Sequence, residues 1–465
     1  MNVLVNAGAR LDRLPFGPFH WRMLRLIGMG MFFDGFDNSM APSILAALTK
    51  GGWSNMATNA HFISVTFLGL AIGAVLAGVL GDRFGRRFAY QFNLLIFGST
   101  CLLSAMAPSM MWLIVLRGLM GVGIGAEYVI GYSMVSEFVP PQRRGWALGL
   151  MAFFSMSSGF VVALLSVLII PTFGWRPMYL IGGIGALWVW HIRRKLPESP
   201  RWLEKMGRVD TAEQVMRGIE QEASPGAPLP PVPTPLDSGA PETWVPVSVL
   251  LSRPVIRRTL LAMGVNIVVM VGSYSFISWV PTFFVEQGLS LSRSLGFSTV
   301  MSFGNVIGPA VCILISDRIG RRRAIIISAI CCGAAALLYS QQATIPGLLV
   351  LGVTVMALMS LLMGLGVGGY TPELFPTEYR LRGNGIAQMV GRIAVILSPY
   401  VVVTLFHNFG IDAVMGGIAL LYIALAVGLM LFGIETNLQP LEALAPEREP
   451  AALVLSDPAH GPSIG

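Results

Sequence analysis

GDRFGRR, residues 81–87, is a charged loop with a central glycine set between two long apolar runs, and SDRIGRRR at 316–323 repeats it in the second half of the chain. The first copy follows the second apolar run, and the second copy follows the eighth. Another pair of loops behaves the same way: SEFVPPQRRGWALG at 136–149 follows the fourth run and PELFPTEYRLRGNGI at 372–386 follows the tenth. Matching chemistry at matching places, six runs apart, marks an internal duplication. The fold then depends on what the runs are.

Composition answers that. Of 465 residues, 54% are hydrophobic and only 12% charged, with mean hydropathy +0.70, whereas a soluble domain carries about twice that charge. Runs of about 18 apolar residues or more, long enough for roughly 30 Å of hydrocarbon, lie near 22–48, 59–80, 88–107, 110–135, 146–170, 177–194, 256–283, 295–316, 324–341, 346–370, 384–405 and 411–434. Backbone groups cannot stay unpaired in lipid, so the spans are helices or a closed barrel. Their length and the lack of period-2 alternation select helices. The expected architecture is an all-α membrane protein with twelve transmembrane helices in two six-helix bundles, related by a pseudo-two-fold axis.

The expected bundles are residues 1–194 and 256–434, separated by a central loop at 195–255 and followed by a tail at 435–465. Within the loop, SPRWLEKMGRVDTAEQVMRGIEQE has helical spacing suited to the membrane surface, while ASPGAPLPPVPTPLDSGAPE reads as an extended or disordered linker.

Basic residues sort by side. Arg10, Arg13, Arg83, Arg86, Arg87, Arg143, Arg144, the Arg193 to Arg217 group, Arg253, Arg257, Arg258, Arg318, Arg321 to Arg323, Arg380 and Arg382 fall in one set of alternate loops, against Lys50, Arg176 and Arg293 in the other. That asymmetry predicts cytoplasmic termini and a cytoplasmic central loop in the cell membrane, and it accounts for the net charge of +7 without a nucleic-acid partner. The N-terminus has no cleavable leader pattern, so the first span is expected to act as its own signal. Cys101, Cys312, Cys331 and Cys332 lack metal spacing and read as small apolar core residues. No cofactor or metal is expected, and no Ser/His/Asp set or phosphate-cradling loop points to an enzyme.

The D-R-x-G-R-R loops, PESPRWL at 197–203 and PELFPTEYRLRG together resemble the major facilitator superfamily, in its sugar-porter-like and organic-ion branches. FFDGFDNSMAPSI at 32–44 resembles the D-G-[FY]-D signature of the aromatic acid/proton symporters. YSFISWVPTFFVEQGLS at 274–290 is similar to their seventh span, and QMVGRIAVILSPYV at 388–401 resembles the eleventh span of organic-anion carriers. The resemblance implies a proton-coupled importer of a small organic acid, an aromatic carboxylate by class, working as a monomer by alternating access with its site between the halves. A sugar/proton symporter is the alternative, and a non-transporting receptor a more distant one. A multidrug antiporter is disfavoured because the fifth span lacks the G-P-x-x-G-G kink resembling that group's signature.

Asp34 and Asp37 stand three residues apart in the first span, about 60° apart on a helix. An ionised carboxylate at that depth costs roughly 3 kcal/mol or more unless paired, hydrated or protonated. The resemblance implies that Asp37 pairs with Arg117 of RGLMGVGIGAE and that protonation opens the pair, with Asp34 a second proton-responsive group or a substrate contact. A static pair fixing two helices is the plainer reading. Arg392 offers a planar fork for a carboxylate, or else bonds backbone carbonyls structurally or snorkels towards the cytoplasm. Glu127 is expected to join Glu137 and Arg144 at the cytoplasmic mouth, with a proton relay as the alternative.

Asn266, Tyr274 and Ser278 in the seventh span, with Asn384, Gln388 and Arg392 in the eleventh, recur at helical spacing and are expected to face the substrate. Tyr274, Trp279, Phe276 and Phe154 would supply flat surface for a ring. Asp82, Arg86, Arg87, Glu137 and Arg144, and in the second half Asp317, Arg321, Arg322, Glu373 and Arg382, are expected to form a cytoplasmic gate locking the halves together through breakable pairs. Positive-inside orientation alone is the plainer reading of those arginines. The glycines of the second and fourth spans (Gly69, Gly73, Gly78, Gly121, Gly125) read as helix-packing contacts.

Overall fold

The computed structural model describes residues 5–224, 228–232, 247–315, 319–375 and 380–435. Most of the proline tract, nearly all of the expected tail and Asp317 lie outside these residues, as do the side chains of Gly78, Asp82 and Arg382.

Helices occupy all twelve expected spans. In the first half they are α2 (Pro18–Lys50), α3 (Met56–Phe84), α4 (Arg86–Ala105), α5 (Met110–Phe138), α6 (Pro141–Phe173) and α7 (Arg176–Arg193), preceded by a short α1 (Ala7–Asp12). Two further helices, α8 (Pro200–Lys205) and α9 (Val209–Ala223), stand in the central loop. The second half comprises α10 (Arg253–Ile277), α11 (Val280–Glu286), α12 (Leu291–Ser302), α13 (Gly304–Ile315), α14 (Arg321–Ser340), α15 (Ile345–Leu362), a π-helical stretch Met363–Tyr370, α16 (Thr371–Glu373) and α17 (Arg380–Phe432). The last of these bends at Gly410 and so covers the final two spans. Among the described residues nine helices are long and apolar enough to cross a membrane, Gly383–Phe432 counting as one of them; α2 and α7 fill the other two expected positions.

Local chemistry sets the ends. The Asn55 side chain accepts from Thr58 N at 2.9 Å to open α3, and prolines begin α2 and α6, where an amide would have no helical partner. The two repeated loops turn the same way: Gly85 (φ 97°) and Gly320 (φ 90°) both adopt the left-handed region and lead into α4 and α14. Each following helix meets a carboxylate that comes after its half's last span. Glu198 accepts from the amides of Arg86 (2.9 Å) and Arg87, and Glu435 from that of Arg322 (3.4 Å). The duplication thus extends to two acids that sequence comparison of the loops had not paired.

The α8–α9 region is a correction. Its apolar face, Ala212, Met216, Ile219 and Ala223, is buried not in lipid but in a cluster with Val5, Leu11, Leu14 and Phe19. The N-terminal segment supplies the cover, and ion pairs pin it: Arg10 bonds Glu220 at 2.7 Å and also reaches Glu213, while Asn6 and Ala7 amides donate to Glu204 at 2.8 and 2.9 Å.

Contacts between the halves run along α3 with α17, α6 with α12 and α2 with α11. Polar contacts across the halves include Ser64 Oγ to Ile396 O (2.7 Å), His61 to the Tyr400 hydroxyl (3.0 Å) and Thr299 Oγ1 to Ala163 O (3.0 Å). All three lie in the part of the bundle away from the arginine-rich loops.

Candidate functional site

The first helix carries the site. Its glycines let neighbours approach closely enough for charges to meet inside: a side chain at Gly35 would overlap Ser155 O and Ser158 Oγ of α6, and one at Gly30 would overlap Nη2 of Arg193. Asp34 and Asp37 follow on this crowded helix, and both are fully buried.

Asp37 meets Arg117 of α5 in a buried ion pair through Nη1, while Nη2 lies 3.3 Å from the Asp37 carbonyl. Arg117 Nε donates to Thr66 Oγ1 at 3.2 Å, that hydroxyl donates to Phe62 O at 2.7 Å, and the guanidinium stands 5.3 Å from the Phe62 ring centroid. Cation, carboxylate and aromatic face leave little of the guanidinium unsatisfied. Thr66 was not among the expected site residues.

Glu127, expected beside Glu137 and Arg144, instead pairs with Arg193, and both are buried. Arg193 also donates to the carbonyls of Leu26 and Ile27 at 2.9 Å each and lies 4.1 Å from the Tyr90 ring centroid. Sequence reading had counted Arg193 as a loop charge because it closes its span next to Arg194 and Lys195. Its side chain turns inward, where Gly30 leaves room. The detectable signal was Glu127 itself, a buried acid still lacking a cation. Asp34 lies in the field of Glu127, Arg193 and Asp37, yet neither of its carboxyl oxygens has a hydrogen-bond partner.

Between the halves lies a small cavity, about 60 Å³, lined by Asn38, Ser39, Thr66, Phe67, Arg117, Tyr274 and Ser278 among others. Tyr274 packs edge-on to Phe67 across the halves, with centroids 4.6 Å apart. Asn38 and Ser39, just beyond the D-G-F-D segment, were missed by sequence reading. Arg392 is half-buried near Tyr274 and Tyr128, and among the described residues its guanidinium has no hydrogen-bond or ion-pair partner. Gln388 stands on the same face of α17, half-buried, and Asn384 Oδ1 is buried without a partner.

Other expected substrate contacts are placed differently. Trp279 is buried in the second half, stacked with Phe283, which in turn stacks on Phe406. Phe276 is buried against Tyr339, and Phe154 packs over Gly28. Asn266 is buried too, donating to Ala262 O (2.8 Å) and Thr371 Oγ1 (3.1 Å). Asn266 therefore braces α10 against the segment that follows the π-helical stretch.

At the arginine-rich end the pairs formed between described residues close within each half rather than across them. Arg86 bonds Glu137 at 3.3 Å and Arg321 bonds Glu373 at 2.9 Å. Arg87 donates to Arg194 O at 2.6 Å and Arg322 to the carbonyls of Leu429 (2.9 Å) and Met430 (2.8 Å). Arg144 reaches Asp12 at 3.5 Å, not Glu127. Burial pushes the Glu198 carboxyl above its ordinary range despite the amides it accepts from.

The model of the Major Facilitator Superfamily matches residues 27–339 and 294–460. The chain is 35% identical to the inner membrane metabolite transport protein YdjE of Escherichia coli (strain K12), over 94% of this chain and 98% of that protein. It is 31% identical to the niacin transporter NiaP of Acinetobacter baylyi, over 94% of this chain and 99% of that one. Among solved structures, the inward-open xylose transporter XylE from E. coli superposes with a TM-score of 0.70 at 18% identity, covering 91% of this chain and 99% of the other. This chain belongs to the major facilitator superfamily. It is a multi-pass membrane transporter of a small molecule, not an enzyme.

Proposed function

We propose that the protein is a proton-coupled symporter that imports a small organic acid, an aromatic carboxylate by class, with the arginine-rich end facing the cytoplasm. The observation that carries the substrate reading is Arg392: a half-buried guanidinium near the cavity with no partner among the described residues. A planar cation held out of water without an anion is an affinity for an anion, and a carboxylate satisfies it with two parallel bonds. Tyr274 and Phe67 supply aromatic surface nearby. Niacin, the compound in the name of the relative NiaP, is itself an aromatic acid.

Coupling to protons rests on Asp34 and Asp37, two buried carboxyls on one helix with Arg117 beside the second.

A sugar substrate is the second reading, favoured by the neutral polar lining of Asn38, Ser39 and Ser278. Proteoliposomes with an imposed inward pH gradient decide between them. Niacin or benzoate should accumulate and xylose should not; xylose accumulation alone would replace the acid reading. Saturable binding of either acid without accumulation would point to a receptor.

A further inference from the structure

Among the described residues, the buried charges of the first half do not balance. Asp34, Asp37 and Glu127 supply three carboxyl groups and Arg117 and Arg193 two guanidiniums, and none of the five is more than 1% exposed. Arg117 is matched to Asp37. Arg193 reaches one oxygen of Glu127 and two carbonyls of α2. Left over are both oxygens of Asp34, Oδ1 of Asp37 and Oε2 of Glu127, all buried and without a hydrogen-bond partner, so that Asp34 alone of the three acids has neither oxygen bonded.

Asp37 lies on the same helix as Asp34; α4 brings Tyr90, α5 brings Glu127 and Tyr128, and α7 brings Arg193. From α6 come only the hydroxyls of Ser155 and Ser158 near Gly35, and from the other half Tyr274 and Arg392 stand beyond Tyr128. Arg392 is the substrate cation in the reading above. Fully ionised, the first-half set would hold a net negative charge where an unmatched charge is most costly. One proton restores neutrality.

We propose that the first half stores one proton on Asp34, shared with Glu127 across Arg193, and that this proton, rather than one on Asp37, enters the transport cycle. Asp37 stays ionised on Arg117. When Asp34 gives up its proton to water admitted by the alternative conformation, its carboxylate competes with Glu127 for Arg193; rebinding a proton restores the Glu127–Arg193 pair. The cycle moves one proton and breaks no covalent bond other than the O–H. This assignment rests on the proton-coupled reading of the carrier.

Infrared pH titration of the purified full-length protein in detergent tests it without any substrate. The wild type should show a protonated-carboxyl band at neutral pH. Asp34→Asn and Glu127→Gln should each abolish it, since either leaves two acids for two cations. The double change Asp37→Asn/Arg117→Gln removes one acid and one cation and should leave the band unmoved. A wild-type spectrum lacking the band overturns the proposal even if every variant misfolds. So does a band that survives both single changes, or one that moves or disappears in the double variant. Failure of acid uptake in proteoliposomes would sink the organic-acid reading while leaving this proton site standing.

Discussion

Asp37 and Arg117, 80 residues apart in sequence, form an ion pair that solvent does not reach. Removing one member strands the other charge in the bundle, whereas removing both does not. Asp37→Asn alone or Arg117→Gln alone should therefore cost about 3–5 kcal/mol of stability, and Asp37→Asn together with Arg117→Gln markedly less than the sum. Thermal unfolding of the four proteins in detergent measures the coupling. Additive losses would show that the two side chains are not acting as a pair.

Arg392 should discriminate by charge. Charge-assisted hydrogen bonds are worth roughly 1.5–3 kcal/mol, or about 10–150-fold in affinity. Arg392→Gln is expected to weaken niacin binding by that much while leaving nicotinamide, its neutral amide, within a few-fold of wild type. Calorimetric titration of both ligands reads the difference, and equal losses would make Arg392 structural.

The closed end of the carrier can be stapled. Thr299 touches the Ala163 backbone across the halves, so Ala163→Cys with Thr299→Cys should cross-link on oxidation. Uptake should stop, and reductant should restore it. Cross-linked protein that still transports would contradict alternating access through that seam.

The N-terminal strap should respond to acid. The bond from Arg10 holds the Glu213 carboxyl below its usual range. A depressed acid contributes stability above its unfolded pKa of about 4.3 and loses it as pH falls through the folded value. Protection of the amides of residues 5–14, taken relative to their intrinsic exchange rates, should thus be high at neutral pH and fall below about pH 4. Protection unchanged on acidification would show that apolar packing of Leu11 and Leu14 holds the strap without the ion pairs.

Much of the fold was readable because lipid makes hydropathy decisive: the spans, the duplication and the helical class follow from run length and from two repeated loops. The pairing of Asp37 with Arg117 was legible through family resemblance. Arg193 was not, because at the end of a span an inward arginine and an outward one have the same sequence context; only the packing space at Gly30 distinguishes them. Trp279 was misplaced for another reason: it follows Tyr274 by five residues, about 140° round a helix, and lies beyond the end of α10 at Ile277, so nothing holds it on Tyr274's face. The surface reading of α9 failed because its apolar face does not name its cover.

The thinness of the seam has an energetic meaning. The hydrogen bonds that Ser64, His61 and Thr299 make across it are worth about 1 kcal/mol net apiece. A latch that light lies within a few multiples of thermal agitation, so cargo and proton can tip the balance between alternative shapes. Slow turnover would then point to the cost of stripping water from the cargo, not to stiffness of the hinge.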